Sequence, residues 1–363
     1  MNLTISFRLR FSFSAFLIVA SPSSLFQRQP SALSALVRHH TTSTRGTRRP
    51  SGGQNPHRAV DSPRPVGRFN EPIPAIDLPR VAGVCSMYRL PVVPDTSDLD
   101  VCFVGVPFDQ ATSNRSGTRF GPRQIRNEST QVRRFNQDTG ASPYDSLQVA
   151  DVGDVNMVMY DLAETCRNIR DTFSNLISTG CKTLAMGGDH SVTYPILQAH
   201  KARYGPVGLI HIDAHSDVQD HAAGCKLTHG SPFRRAVEEN LIDPDRTVQI
   251  GIRGSSVSME DIEYTLKQGF RVVPAHHCHL KSLTPLMEEV RQMMADKPVY
   301  ISFDIDALDP AFAPGTGTPE IAGLTTAQVL EIIRGCRGLN IVGGDLVEVR
   351  TRLGQITITS LPV

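Results

Sequence analysis

The chain has 363 residues, 40% hydrophobic and 20% charged, with a formal net charge of +1. That is the balance of a globular protein long enough to bury a sizeable core, and so small a charge gives no electrostatic reason to expect nucleic acid or a membrane as partner. No apolar run approaches the length needed to span a bilayer. Seven cysteines (Cys85, Cys102, Cys166, Cys181, Cys225, Cys278 and Cys336) are scattered without paired spacing. Such a set fits free thiols in a reducing compartment better than a disulfide framework.

The first sixty residues contain no Asp or Glu, yet carry Arg8, Arg10, Arg28, Arg38, Arg45, Arg48, Arg49 and Arg58 among many serines. Basic, Ser-rich and acid-poor composition is that of a mitochondrial transit peptide. A secretory signal is the rival, since Phe11–Ala20 is an apolar run behind two arginines. The Arg/Ser bias continues far past any cleavage point such a signal would use, so the expected location is the mitochondrial matrix. Residues 1–60 read as transit peptide and disordered linker, and 61–363 as the folded domain. Ser51–Pro79, rich in Pro and Gly, reads as a stretch that is cleaved away or loosely attached.

From about Leu99 the pattern becomes regular. Strand-like runs are predicted at Leu99–Val106, Thr183–Met186, Val207–Ile212, Val248–Ile252, Arg271–Pro274, Val299–Phe303 and Asn340–Val347. Helical periodicity lies between them at Leu162–Ser178, Val192–Tyr204, Met259–Gln268, Leu283–Ala295 and Thr326–Arg334. Strands alternating with helices predict a single three-layer α/β/α domain around a mostly parallel sheet. No internal repeat or break in composition divides it.

The chemistry-bearing residues follow the strands. In LIHIDAHSD, Asp213, His215 and Asp217 occupy alternate positions, which share one face of extended backbone. Alone, this is also an ordinary strand ending in a polar turn. Upstream, TLAMGGDHSV ends a strand with Asp189 and His190; downstream, VYISFDIDALDP places Asp304 and Asp306 two apart, with Asp309 following. Two histidines and four carboxylates can therefore converge on one site at the carboxyl ends of the sheet. Buried carboxylates side by side need cations. Oxygen-rich ligation with some imidazole suits a hard or borderline ion such as manganese. Six ligands are too many for one ion with an open position, and suggest two ions roughly 3.5–4 Å apart.

GGDH, DAHSD and SFDIDALDP, in this order and spacing, resemble the three signatures of the ureohydrolases, which include arginase, agmatinase and the guanidino-acid hydrolases. SNRSGTRFGPRQIRNES, HGSPFRRAVEE, QIGIRGS and PGTGTPEIAGLT are most similar to the mitochondrial agmatinase-like members of vertebrates, over roughly residues 75–349. The resemblance implies an arginase-like fold and two manganese ions per subunit. His190, Asp213, Asp217 and Asp304 would hold one; Asp213, His215, Asp304 and Asp306 the other, with Asp213 and Asp304 bridging. It implies that His229 shuttles a proton to the leaving amine and that Glu348 holds the guanidinium. Asn114 and Arg115 become candidates for substrate contact. Asp189 and Asp309 match no ligand position and are expected in supporting or turn-forming roles. Arg119 is expected in structural contacts, and the small residues Gly315–Thr318 could allow close approach to the site.

The implied reaction is manganese-dependent release of urea from a linear guanidino compound, a guanidino acid such as 4-guanidinobutyrate or else agmatine. Relatives assemble as trimers or hexamers, so a homo-oligomer is expected. Two features draw a plainer reading: His211 is expected to be a hydrogen-bonded core histidine, and Ala275–His279 not to bind metal. After Glu348 the family continues with a proline-containing stretch and a closing helix, whereas this chain reads VRTRLGQITITSLPV. Loss of a covering helix would cost about 1.5–3 kcal/mol for each large side chain left exposed. An alternative is therefore a catalytically weak or inactive variant acting as a metal-binding subunit. A third is hydrolysis of another linear C–N bond, as in formiminoglutamate.

Overall fold

The structure, a computed structural model, describes residues 69–256 and 258–350. The expected transit peptide and the segment after Arg350, including the expected loss of the closing helix, lie outside the described residues. Eight strands form one sheet: β1 (Val101–Gly105), β2 (Val149–Asp154), β3 (Lys182–Met186), β4 (Val207–Ile212), β5 (Ile242–Ile252), β6 (Arg271–Pro274), β7 (Val299–Asp304) and β8 (Ile341–Val347). Their spatial order is β2-β1-β3-β8-β7-β4-β5-β6, and every pairing is parallel. Strands β1, β3, β8, β7 and β4 are buried at nearly every position, whereas β6 at one edge is half exposed. A parallel sheet covered on both faces requires such continuous apolar runs.

Among the described residues, seven helices join them: α1 (Gly121–Ser129), α2 (Leu162–Ser178), α3 (Thr193–Tyr204), α4 (Pro232–Glu238), α5 (Met259–Gln268), α6 (Thr284–Met294) and α7 (Thr326–Gly335). The Asp161 side chain caps α2, and Thr325 with Gln328 forms a capping box on α7. Ile169, Phe173, Leu176 and Ile177 bury one face of α2 against the sheet face bearing Cys102, Val104, Leu209 and Tyr300. Met287, Val290 and Met294 of α6, with Val329, Ile332 and Ile333 of α7, cover the opposite face, on Ile210, Ile212, Ile301 and Phe303. The alternation of the strands separates these two layers.

The expected fold class is what the chain adopts. Strand β2 and helices α1 and α4 are additions to the expected elements. Strand β5 starts at Ile242 rather than Val248 because its polar beginning, IDPDR, hides the strand. Of Ser51–Pro79, expected to be cleaved away or loosely attached, residues 69–79 are described, and Asn70 among them is anchored. The Asn70 amide donates to Gln148 Oε1 at 2.6 Å and its side chain to the Val149 carbonyl at 2.9 Å, so this segment is tied to the start of β2.

Strands β3 and β4 are consecutive in the chain, yet β8 and β7 lie between them. The chain reverses its direction of growth there, which opens a crevice beyond the carboxyl ends of the four central strands. The Gly187–Gly188 pair closes its wall: a Cβ on Gly188 would lie 1.7 Å from the Phe108 carbonyl oxygen. Only glycine permits that approach, which lets the Asp189 amide donate to the same carbonyl at 2.8 Å.

Candidate metal centre and active site

Every residue expected at the metal site lies at the end of β3, β4 or β7. The turn after β3 is short: Asp189 caps it by accepting from the Ser191 amide, and His190 opens a single 3-10 turn. After β4 the backbone turns back at Asp217, whose φ of 54° is left-handed. After β7 the Asp304 side chain accepts from the Asp306 amide at 2.8 Å and starts another 3-10 turn. Asp306 Oδ1 in turn accepts from the Ala214 amide at 3.1 Å, joining the two aspartate segments.

His190 Nδ1 lies 2.9 Å from Asp217 Oδ2, 3.2 Å from Asp213 Oδ2 and 3.3 Å from Asp304 Oδ2. It makes a directed hydrogen bond to none of them, although it is buried. His215 Nδ1 lies 3.0 Å from Asp306 Oδ2 and 3.6 Å from Asp213 Oδ1. Asp213 thus faces both histidines, one through each oxygen. Asp304 faces the first group through Oδ2, while its Oδ1 accepts from Asp306.

The charges are severe. Burial, then the charges of Asp306 and Asp213, push the Asp304 carboxyl well above its usual range; burial and Asp213 push Asp306 up to about 6. Burial opposes protonation of His215, but the Asp213 and Asp306 carboxylates beside it outweigh that, lifting the ring to about 12. Such a set of oxygen and ring-nitrogen donors holds protons unless it holds metal cations, and the donor chemistry fits hard or borderline divalent ions.

The histidines are oriented from behind. His190 Nε2 pairs with Ser302 Oγ at 2.8 Å. His215 Nε2 lies 3.6 Å from Glu320 Oε1. His211 is the expected core histidine: Gln249 donates to its Nδ1 at 3.0 Å, and its Nε2 donates to Asp213 Oδ2 at 2.7 Å. With both nitrogens engaged, His211 supports Asp213 and has no lone pair for an ion. Asp189 accepts from Ala111 and Ser191, and Asp309 from Ala311 and Gly323, so both build turns as expected. Arg119 pairs with Asp109, again a structural contact.

Two residues hold the ligand loops in ways that the spacing did not reveal. Arg253 donates to six main-chain carbonyls, those of Gly251, Asp306, Ala307, Leu308, Glu320 and Ile321. Gly254 lies under His215: an added Cβ would meet the ring at 2.4 Å. We expect Gly254→Ala to displace that ring and weaken one of two cation positions roughly 10- to 100-fold, the range for disturbed ligand support; a titration of metal stoichiometry and affinity reads this.

His229 and Glu348 lie beside this centre. His229 Nδ1 is 3.2 Å from Glu348 Oε1, and its Nε2 lies 2.6 Å from Ser113 Oγ and 3.1 Å from the Ser113 amide nitrogen. Burial opposes its protonation, but the bond to Glu348 and that carboxylate's charge prevail, and the ring is pushed up to about 9. Glu348, 1% exposed and with a left-handed φ of 60°, also accepts from the His190 amide at 3.0 Å through Oε1. Its Oε2 is buried without a hydrogen-bond partner. The expected loop candidates differ in placement. The Asn114 side chain donates to the Gly317 carbonyl at 3.0 Å, bracing the wall beside Glu348, while Arg115 is exposed and brings its carbonyl to Gly317. Ser113, Gln249 and Ser302 were outside the expected set; only Ser302, two residues before Asp304 on a strand, carried a positional hint.

Comparison with known proteins agrees with this geometry. The model of the arginase family matches residues 99–362. The mitochondrial agmatinase of Gallus gallus is 63% identical over 286 residues, 79% of this chain and 84% of the relative. The mitochondrial guanidino acid hydrolase of Homo sapiens is 57% identical over 298 residues, 82% of this chain and 83% of the relative. Among solved structures, proclavaminate amidino hydrolase from Streptomyces clavuligerus superposes with a TM-score of 0.74 at 38% identity, covering 78% of this chain and 94% of that one. A parallel sheet with acids and imidazoles gathered at its switch point, and sequence kinship across most of the chain, place this protein in the arginase family.

Proposed function

We propose that the chain hydrolyses a linear guanidino compound, releasing urea and the corresponding amine or amino acid, with two manganese ions held between β3, β4 and β7. His190, Asp213, Asp217 and Asp304 would hold one ion, and Asp213, His215, Asp304 and Asp306 the other. When bound, the pair lowers the pKa of a water and supplies the strong nucleophile that a guanidinium carbon requires near neutral pH. The single observation that carries the substrate reading is Glu348 Oε2, a buried carboxylate oxygen with no partner. A planar guanidinium matches a carboxylate in shape and charge. Glu348 would hold the substrate against the metal centre, and His229 would pass a proton to the leaving amine.

Guanidino acids are the favoured substrates, with agmatine second; one relative is named for each. A urea-release assay on manganese-loaded protein across 4-guanidinobutyrate, 3-guanidinopropionate, agmatine and arginine tests this. No urea from any of them at full metal occupancy would end the reading. Among the described residues nothing favours the inactive-subunit alternative, since all six ligand candidates converge.

Metal uptake should be proton-coupled. Ligation needs a neutral His215 ring, and that ring, pushed up to about 12, is protonated at pH 7 in the metal-free chain. Affinity should therefore rise with pH, by about tenfold per unit for each proton displaced; acidification of a weakly buffered solution on adding manganese checks the sign.

The acid-free amino-terminal sequence and the mitochondrial names of both relatives support import into the matrix, with residues 1–60 as the removed or linking part and 61–363 as the catalytic domain. Met259, Ile262 and Leu266 are exposed at helical spacing on α5. That supports a homo-oligomer, proposed as a trimer or hexamer.

A further inference from the structure

We propose that Asp345 is a positioning residue that decides which nitrogen of His190 is free to bind a cation. The inference rests on the two-cation reading above and concerns a carboxylate that no ligand motif includes. Strand register places Gln249, His211, Ser302 and Asp345 side by side across β5, β4, β7 and β8. This polar row lies on the sheet face that, two residues further along β4 and β7, carries Asp213 and Asp304. His211 supports Asp213 from the row, as described. Ser302 and Asp345 do the same for His190.

Asp345 is 1% exposed. Its Oδ2 accepts from Tyr300 Oη and Thr193 Oγ1, each at 2.8 Å, and its Oδ1 accepts from Ser302 Oγ at 2.7 Å. A serine hydroxyl has a single proton. Since that proton goes to Asp345, Ser302 Oγ can only accept from His190 Nε2, 2.8 Å away. The ring hydrogen of a neutral His190 is thereby fixed on Nε2, and Nδ1 is left with its lone pair among the oxygens of Asp213, Asp217 and Asp304. Thr193 opens α3 immediately after the turn bearing His190, so the same carboxylate also anchors that turn.

Asparagine at 345 would keep the shape and reverse the polarity. With its carbonyl oxygen facing Tyr300 and Thr193, its amide would donate to Ser302. The Ser302 proton would then turn to His190 Nε2, and the ring hydrogen would move to Nδ1, where the cation belongs. We expect Asp345→Asn to weaken one cation position about 10- to 100-fold, the range for lost ligand support, and to leave the other near its original affinity. Ser302→Ala added to Asp345→Asn removes the misdirected proton and should restore much of that loss.

The test titrates full-length chains with manganese, following free ion by its paramagnetic resonance signal, with thermal melting of each metal-free chain. The expected pattern is two bound equivalents in the wild type, selective weakening of one in Asp345→Asn, and recovery in the double variant. Equal affinities in wild type and Asp345→Asn, or a double variant no better than Asp345→Asn, would overturn the relay. If Asp345→Asn does not fold, Ser302→Ala alone decides: a selective loss below about tenfold at one position supports the relay, and no loss or equal loss at both refutes it. A wild-type chain that binds no manganese would remove the two-cation reading and the relay together. Two equivalents in the wild type with an unaffected Asp345→Asn would remove the relay alone.

Discussion

Replacing Asp213 with asparagine is expected to empty both cation positions and lower kcat by roughly 10³-fold or more, because a two-metal mechanism needs both ions clamped on one reacting centre. Asp213, like Asp304, belongs to both proposed ligand sets, and it is the one placed between the two histidines. One of its oxygens is turned toward His190 and the other toward His215. An amide keeps the size and loses the charge, and its NH2 end points a hydrogen at one of the two positions. Manganese content after dialysis and urea release, measured on the same preparation, read the effect.

The comparison with Asp304→Asn separates metal binding from folding. Burial and the neighbouring carboxylates raise the Asp304 carboxyl well above its usual range, so its charged form works against the folded state. Above the pH at which it ionises in the unfolded chain, an acid with a raised folded pKa subtracts stability. Asp304→Asn should therefore hold or raise the melting temperature of the metal-free chain at pH 8 while lowering manganese occupancy. A metal-free variant that melts well below the metal-free wild type would contradict this account of the site's charge. Sites that bind cations by crowding acids carry such a conflict between function and stability.

Glu348→Gln should reduce kcat/KM by about 2–5 kcal/mol, roughly 30- to 5000-fold, the cost of removing one partner of a buried charge pair. Glutamine can still accept from the His190 amide, so manganese content should stay near that of the wild type. Loss of turnover with intact occupancy distinguishes this substitution from Asp213→Asn. A second consequence concerns pH. The Glu348 carboxylate is what lifts His229 to about 9 against burial. If His229 acts as an acid, kcat/KM falls as pH rises through that value, since the free enzyme then loses the proton. In Glu348→Gln the alkaline limb should move to lower pH. An unmoved limb would assign it to another group.

The sequence by itself determines the class of the fold and which acids and imidazoles are candidates for one shared site. Both depend on local spacing: apolar runs of strand length between helical periods, and acids and imidazoles at alternate positions of LIHIDAHSD or two apart in SFDIDALDP. Backbone geometry converts such spacing directly into a shared face, and α2 and α5 begin and end where periodicity places them. Strands with polar or glycine-containing stretches, β2 and the start of β5, escape this reading because little apolar signal remains in them.

Tertiary structure decides what stands behind the candidate ligands. That β8 and β7 insert between β3 and β4 is a matter of non-local pairing, and only this order brings Asp345 beside Ser302 and Ser302 beneath His190. The same holds for Ser113 against His229, 116 residues apart in the chain, and for Arg253 over the loops that carry Asp306 and Glu320. Hydrogen bonds between distant segments leave no periodic trace, because each partner is chosen by the packing of the other and not by its own neighbours in the chain.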